Sequence, residues 1–168
     1  LFKIGLIDVL MLVAVCSLVC VQMPSFADDP GVGWHLATGS WILNHHKIPM
    51  SDPFLSSPVP RPWVSDQWLS DVIMYLLYSI GSWPLLYGFI ALLFLTTFLV
   101  VLYRGIDIIS GFAVASCIAA MIAFKISQIH FILRPVVFGF FFFSILYTII
   151  GRLYADRDRS ATKLVRAS

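Results

Sequence analysis

Four apolar runs limit what this chain can fold into. A polar island of about 60 residues, Pro24 to Trp83, separates the first run from the other three. A helix that crosses a bilayer takes roughly 20 predominantly apolar residues. Residues 4–23, 84–103, 106–124 and 131–153 reach or approach that length. Asp8 breaks the first run, Asp107 stands at the edge of the third, and Arg134 and Pro135 lie near the start of the fourth. Pro84 and Pro135 suit the first turn of a helix, where the missing N–H costs little. Composition agrees, since 12% of residues are charged where a soluble domain carries about a quarter. The mean hydropathy is +0.91. The expected fold is an all-α polytopic membrane helix bundle of about four spans, one membrane domain over residues 1–168. The net charge of +2 gives no reason to expect a nucleic-acid partner.

Lys and Arg placement sets an expected orientation. With the N-terminus in the cytoplasm, Lys3, Arg104 (in a tight turn between spans two and three) and the basic tail, residues 154–168, lie inside. The island, outer loop 24–83, then faces the periplasm or cell exterior, as does the short link from Lys125 to Arg134. With Arg152, at the inner end of span four, seven of the eleven basic residues fall inside on this reading. A competing reading takes the first run as a secretory signal cleaved after Ser25-Phe26-Ala27, a small-x-small pattern. The chain opens on Leu1 and is expected to be a piece of a longer protein.

The island holds five of the nine acidic residues, three of the four His and all five Trp. Asp29-Pro30 reads as an N-cap with Pro at the first helical position. Trp34, Ala37 and Trp41 recur at helical spacing up to about His45. Five prolines between Ile48 and Pro62 predict an extended, turn-rich loop, with Asp52 as a turn residue. Ser65 is expected to cap a second helix whose apolar stripe is Trp68, Val72, Leu76 and Ile80, with Gly81 as its stop and Asp66 and Asp71 on a solvated face. The island is thus expected to be two short interfacial helices around a proline-rich loop, anchored by Trp.

The segments DDPGVGWHLATGSWILNHHKIPMSDPF, RPW and DQWLSDVIMYLLYSIG together resemble the first outer loop of bacterial GT-C-type membrane glycosyltransferases. These are relatives of the dolichyl-phosphate-mannose and lipid-linked-sugar transferases. The resemblance covers most of the chain. It implies a protein of the bacterial inner membrane that uses a polyprenyl-phosphate sugar, with membrane lipid as its surroundings and a divalent metal as an optional cofactor. It makes Asp28 and Asp29, at the mouth of span one, candidates for the acidic catalytic group. Such a carboxylate accepts a proton from an acceptor hydroxyl. Arg134 is the candidate contact to the leaving phosphate, and His35 a weaker candidate at the same site. The chain departs from the pattern at Gly31, where the branch often has a second acidic residue. It also has no Asp or Glu between Lys125 and Arg134. Those departures motivate the alternative, a non-catalytic or degenerate membrane subunit.

That alternative has its own candidate surface. Gly111, Ala115, Ala119 and Ala123 recur every four residues and would give a smooth face for a packing helix. The rings of Phe138 and of residues 140–143 are expected to fit against it. Cys16, Cys20 and Cys117 read as small apolar residues inside spans. A zinc site from His35, His45, His46 and Asp52 fits no standard spacing, so no metal ligands are assigned.

Overall fold

The computed structural model describes residues 5–56, 59 and 61–167. Lys3, Ile4, Pro58 and Pro60, which entered the expectations above, lie outside the described residues, as do the side chains of Arg159, Lys163 and Arg166. The helices are α1 Leu6–Gln22, α2 Val32–His45, α3 Trp68–Leu95, α4 Arg104–Ser110, α5 Ala113–Ser127 and α6 Val136–Ala167. A tight 3-10 turn, Met23–Asp28, extends α1, and a wider π-type stretch, Thr96–Tyr103, joins α3 to α4. Four helical stretches are long and apolar enough to cross a membrane: Leu6–Phe26, Trp68–Ser110, Ala113–His130 and Val136–Arg157. The protein is an all-α, multi-pass membrane bundle.

The second span differs from the expected 84–103 at both ends. At its near end the surface helix leads directly into it across a kink, where Gly81 and Ser82 leave helical geometry (Ser82 φ 53°, ψ −155°). Gly81 therefore stops one helix, and Pro84 sits in the first turn of the next. At the far end the chain does not turn at Arg104. The helix continues to Ser110, and Gly111, at φ +73°, makes the turn by donating its N–H to Asp107 O at 2.8 Å. A left-handed C-cap is where glycine avoids a Cβ penalty.

Gly111 is thus a turn residue and not part of a packing stripe. Ala115 and Ala119 point away from the bundle, and the buried face of α5 is Ser116, Ala120 and Phe124. Nor do the α6 rings pack on α5. Phe142 and Phe143 are exposed, and α6 packs on α3, α4 and the π-type stretch. The core rings come from different elements: Phe94 and Phe131 have centroids 4.0 Å apart, Phe124 and Phe131 4.7 Å, Phe98 and Phe124 5.0 Å. Phe26, inside the small-x-small segment, is fully buried against Phe94 and Tyr87. Cys20 is exposed on α1, while Cys16 and Cys117 are half-buried.

Polar groups inside the spans are answered locally. Thr96, Thr97, Ser116 and Ser144 donate to carbonyls four residues back, the usual device for a hydroxyl in an apolar helix. Asp8 accepts from Gly5 N, Tyr103 Oη and Arg104 Nη1 at 2.7, 2.9 and 2.8 Å. Arg104 also reaches Asp107 at 3.2 Å, one turn along its own helix. This network ties the start of α1 to α4 at one end of the bundle. The basic tail is a continuation of α6 rather than a separate segment.

Candidate functional site

The opposite end of the bundle gathers the island. After the 3-10 turn, Asp29 takes up an extended backbone conformation (φ −90°, ψ 108°). It does not cap α2 as Asp29-Pro30 suggested. Its side chain accepts instead from Gly31 N at 2.9 Å, and α2 begins at Val32 with no side-chain cap. The carboxylate is also gripped by Arg134, which donates from Nε to Oδ2 at 2.6 Å and from Nη2 to Oδ1 at 2.9 Å. This two-point geometry matches a planar guanidinium to a carboxylate. Only 1% of the Asp29 side chain is exposed, against 50% of Arg134. The Arg134 hydrogen bonds hold the Asp29 carboxyl below its ordinary range, and Asp29 in turn raises the guanidinium. Asp28, its neighbour, is exposed.

Two sequence candidates therefore meet in one ion pair. Arg134 keeps both Nη1 hydrogens and one on Nη2 without a hydrogen bond among the described residues. Its outer edge lines a cavity of about 490 Å³ together with Trp34, His35, Gln67, His130 and Ile132. Gly31 and Val136 also border it, so the first turns of α2 and α6 both open onto this space.

His35 leads to a residue that sequence reasoning misplaced. Its Nδ1 lies 2.8 Å from Asp71 Oδ1, and Ser65 Oγ donates to Asp71 Oδ2 at 3.0 Å. Asp71 was expected on a solvated face but is 2% exposed. Ser65 was expected as a helix cap; it is 4% exposed and bound to Asp71, while Gln67 occupies the cap position. The expected apolar stripe of this helix faces outward: Trp68, Leu76 and Ile80 are 40%, 42% and 77% exposed. The inward face carries Asp71 and Met74. On α2 likewise the buried residues are Leu36, Thr38, Gly39 and Ile42 rather than Trp34 and Trp41.

Gly39 explains the closeness of the two helices. A Cβ there would lie 2.7 Å from the Asp71 carbonyl carbon and 2.8 Å from Tyr75 Cβ. Without that Cβ the backbones touch, and His35, one turn earlier on the same face, reaches Asp71. The signal was present in the sequence: His35 and Gly39 stand four apart on α2, facing an Asp on the next helix. What was lacking was the register between the helices.

The proline-rich segment, expected as an extended, turn-rich loop, folds back so that its two ends pair. Met50 and Trp63, and Asp52 and Arg61, are joined by backbone hydrogen bonds of 3.1 and 3.2 Å. Asp52 accepts from Phe54 N at 2.9 Å, a turn bond. Trp34 packs edge-on to Phe54 and Trp63, with centroids 5.0 and 5.9 Å away. His45 stacks on Trp41, and His46 ends α2 at φ 52°. Among the described residues, no three His, Cys, Asp or Glu side chains gather as a metal-binding group.

No protein-family model, curated protein or solved structure matches this chain.

Proposed function

We propose that the protein binds the phosphate of a polyprenyl-phosphate-linked sugar at this cavity, as a GT-C-like glycosyltransferase or the N-terminal part of one. One observation carries the reading. Arg134 is fixed from behind by Asp29 and presents its remaining donors to a 490 Å³ cavity beside apolar spans. A half-exposed guanidinium is matched to phosphate. Two helix N-termini border the same space and add partial positive charge, which favours an anion. No carboxylate lies among the groups lining that cavity. The exposed apolar flanks of the spans suit a prenyl chain lying in the surrounding lipid.

In this reading Asp29 positions Arg134, and Asp28 stands exposed beside it, outside the cavity lining. The test uses the full chain in nanodiscs of phosphatidylethanolamine and phosphatidylglycerol, titrated with farnesyl phosphate and with farnesol. Arg134→Ala is expected to weaken farnesyl phosphate binding at least tenfold, about 1.4 kcal/mol, and to leave farnesol unaffected. Equal binding by the native and substituted chains sinks the reading. For transfer itself, polyprenyl-phosphate hexoses are offered to the native chain and to a form carrying Asp28→Asn and Asp29→Asn. Unchanged transfer removes both acids from the chemistry.

A second reading, a non-catalytic subunit, draws on Ala115 and Ala119, which lie uncovered on α5 and would admit a close-packing helix. Its mark is a stable complex in detergent that Ala115→Leu and Ala119→Leu dissolve.

A further inference from the structure

His35, Asp71 and Ser65 form a chain of side-chain contacts. Asp71, buried on α3, lies against Nδ1, and Ser65 holds the other oxygen of the same carboxylate. A carboxylate has no proton to give, so the proton in the Nδ1 contact belongs to the imidazole. In the neutral ring Nε2 then carries a lone pair. Among the described residues it has no hydrogen-bond partner, and the ring lines the cavity that Arg134 enters. A buried acid on Nδ1, fixing tautomer and orientation so that Nε2 accepts a proton, is the arrangement of a general base.

We propose that His35 is the proton acceptor of this cavity and that Asp71 is its positioning residue. The proposal rests on the lipid-phosphate reading for its substrates: a polyprenyl-phosphate sugar and an acceptor bearing a hydroxyl. The acceptor oxygen bonds to the anomeric carbon as the bond from that carbon to the phosphate oxygen breaks. The hydroxyl proton passes to His35 Nε2. The electron pair of the broken bond leaves with the phosphate, whose charge Arg134 meets. Neither Asp28 nor Asp29 takes the proton in this scheme. Asp29 already accepts from Arg134 and Gly31, and neither residue lines the cavity.

Fixing the lone pair on Nε2 makes a prediction that needs no sugar. The full chain in the same nanodiscs is treated with diethylpyrocarbonate, and His35 modification is read by peptide mass spectrometry, normalised to His45. Asp71→Asn keeps the shape but offers a donor to Nδ1, which moves the ring proton to Nε2. It is expected to slow His35 modification at least fivefold and to change the tautomer seen by nitrogen NMR of histidine-labelled chain. Ser65→Ala leaves the Nδ1 contact in place and is expected to change both readouts far less. Farnesyl phosphate is expected to shield His35 in the native chain but not in Arg134→Ala. In transfer, His35→Ala is expected to lose about 100-fold or more while still binding farnesyl phosphate. Equal modification rates in the native and Asp71→Asn chains overturn the proposal, as does transfer that survives His35→Ala. Farnesyl phosphate that fails to bind overturns the lipid-phosphate reading alone, and the His35 reactivity then decides the relay.

Discussion

Asp29 shows how a buried residue sets the working range of an exposed one. Its carboxyl is held low chiefly by hydrogen bonds from Arg134, so its pKa is lower folded than unfolded. A depressed carboxyl stabilises the fold above its unfolded value, near 3.8, and that contribution is lost as pH falls through the folded value. Thermal unfolding in detergent micelles should therefore show a midpoint that is steady toward neutral pH and drops below about pH 4. Asp29→Asn is expected to flatten that drop and to cost roughly 1–3 kcal/mol at neutral pH. Removing one buried partner leaves an unmet charge, discounted here because Arg134 is half in solvent. An acid profile identical in both chains would show that the pair adds nothing.

At the scale of elements, the α2–α3 contact decides whether the site exists. Gly39→Ala puts a methyl group against the Asp71 backbone and Tyr75 Cβ, so the helices must part. We expect a loss of about 2 kcal/mol or more, in line with overpacking. His35 modification should then resemble that of Asp71→Asn even though both side chains remain. Gly33, two positions into α2, has open space around it. Gly33→Ala is expected to be neutral or to stabilise by about 0.5 kcal/mol through helix propensity. Both variants are compared by thermal unfolding in the same micelle. Equal effects at the two glycines would mean that helix propensity, not close approach, governs this pair.

Across the whole molecule, two polar clusters mark the ends of an apolar bundle. Asp8, Tyr103, Arg104 and Asp107 join at one end, and Asp29, Arg134, His35 and Asp71 at the other. The excess of basic residues around the first cluster motivates placing it in the cytoplasm and the second outside. With Lys47→Cys and Arg157→Cys introduced separately, a membrane-impermeant maleimide should label the first in intact cells. It should label the second only after permeabilisation. The reverse pattern would invert the orientation and move the cavity to the cytoplasmic face.

The sequence alone determined the class of this protein. Runs of about 20 apolar residues have few ways to satisfy their backbones in lipid, and a helix is the local one. The stop at Gly81, the end of α2 at His45 and the turn at Asp52 were legible for the same reason, since each depends on a few adjacent residues. The tertiary structure decided which faces turn inward. A membrane chain gives no apolar-in, polar-out contrast to read, so Trp68, Leu76 and Ile80 lie outside while Asp71 is buried. It also decided the partners. Asp29 and Arg134 stand 105 positions apart and His35 and Asp71 36 apart. Their meeting depends on the register of packed helices, which a glycine at position 39 permits but no local pattern announces.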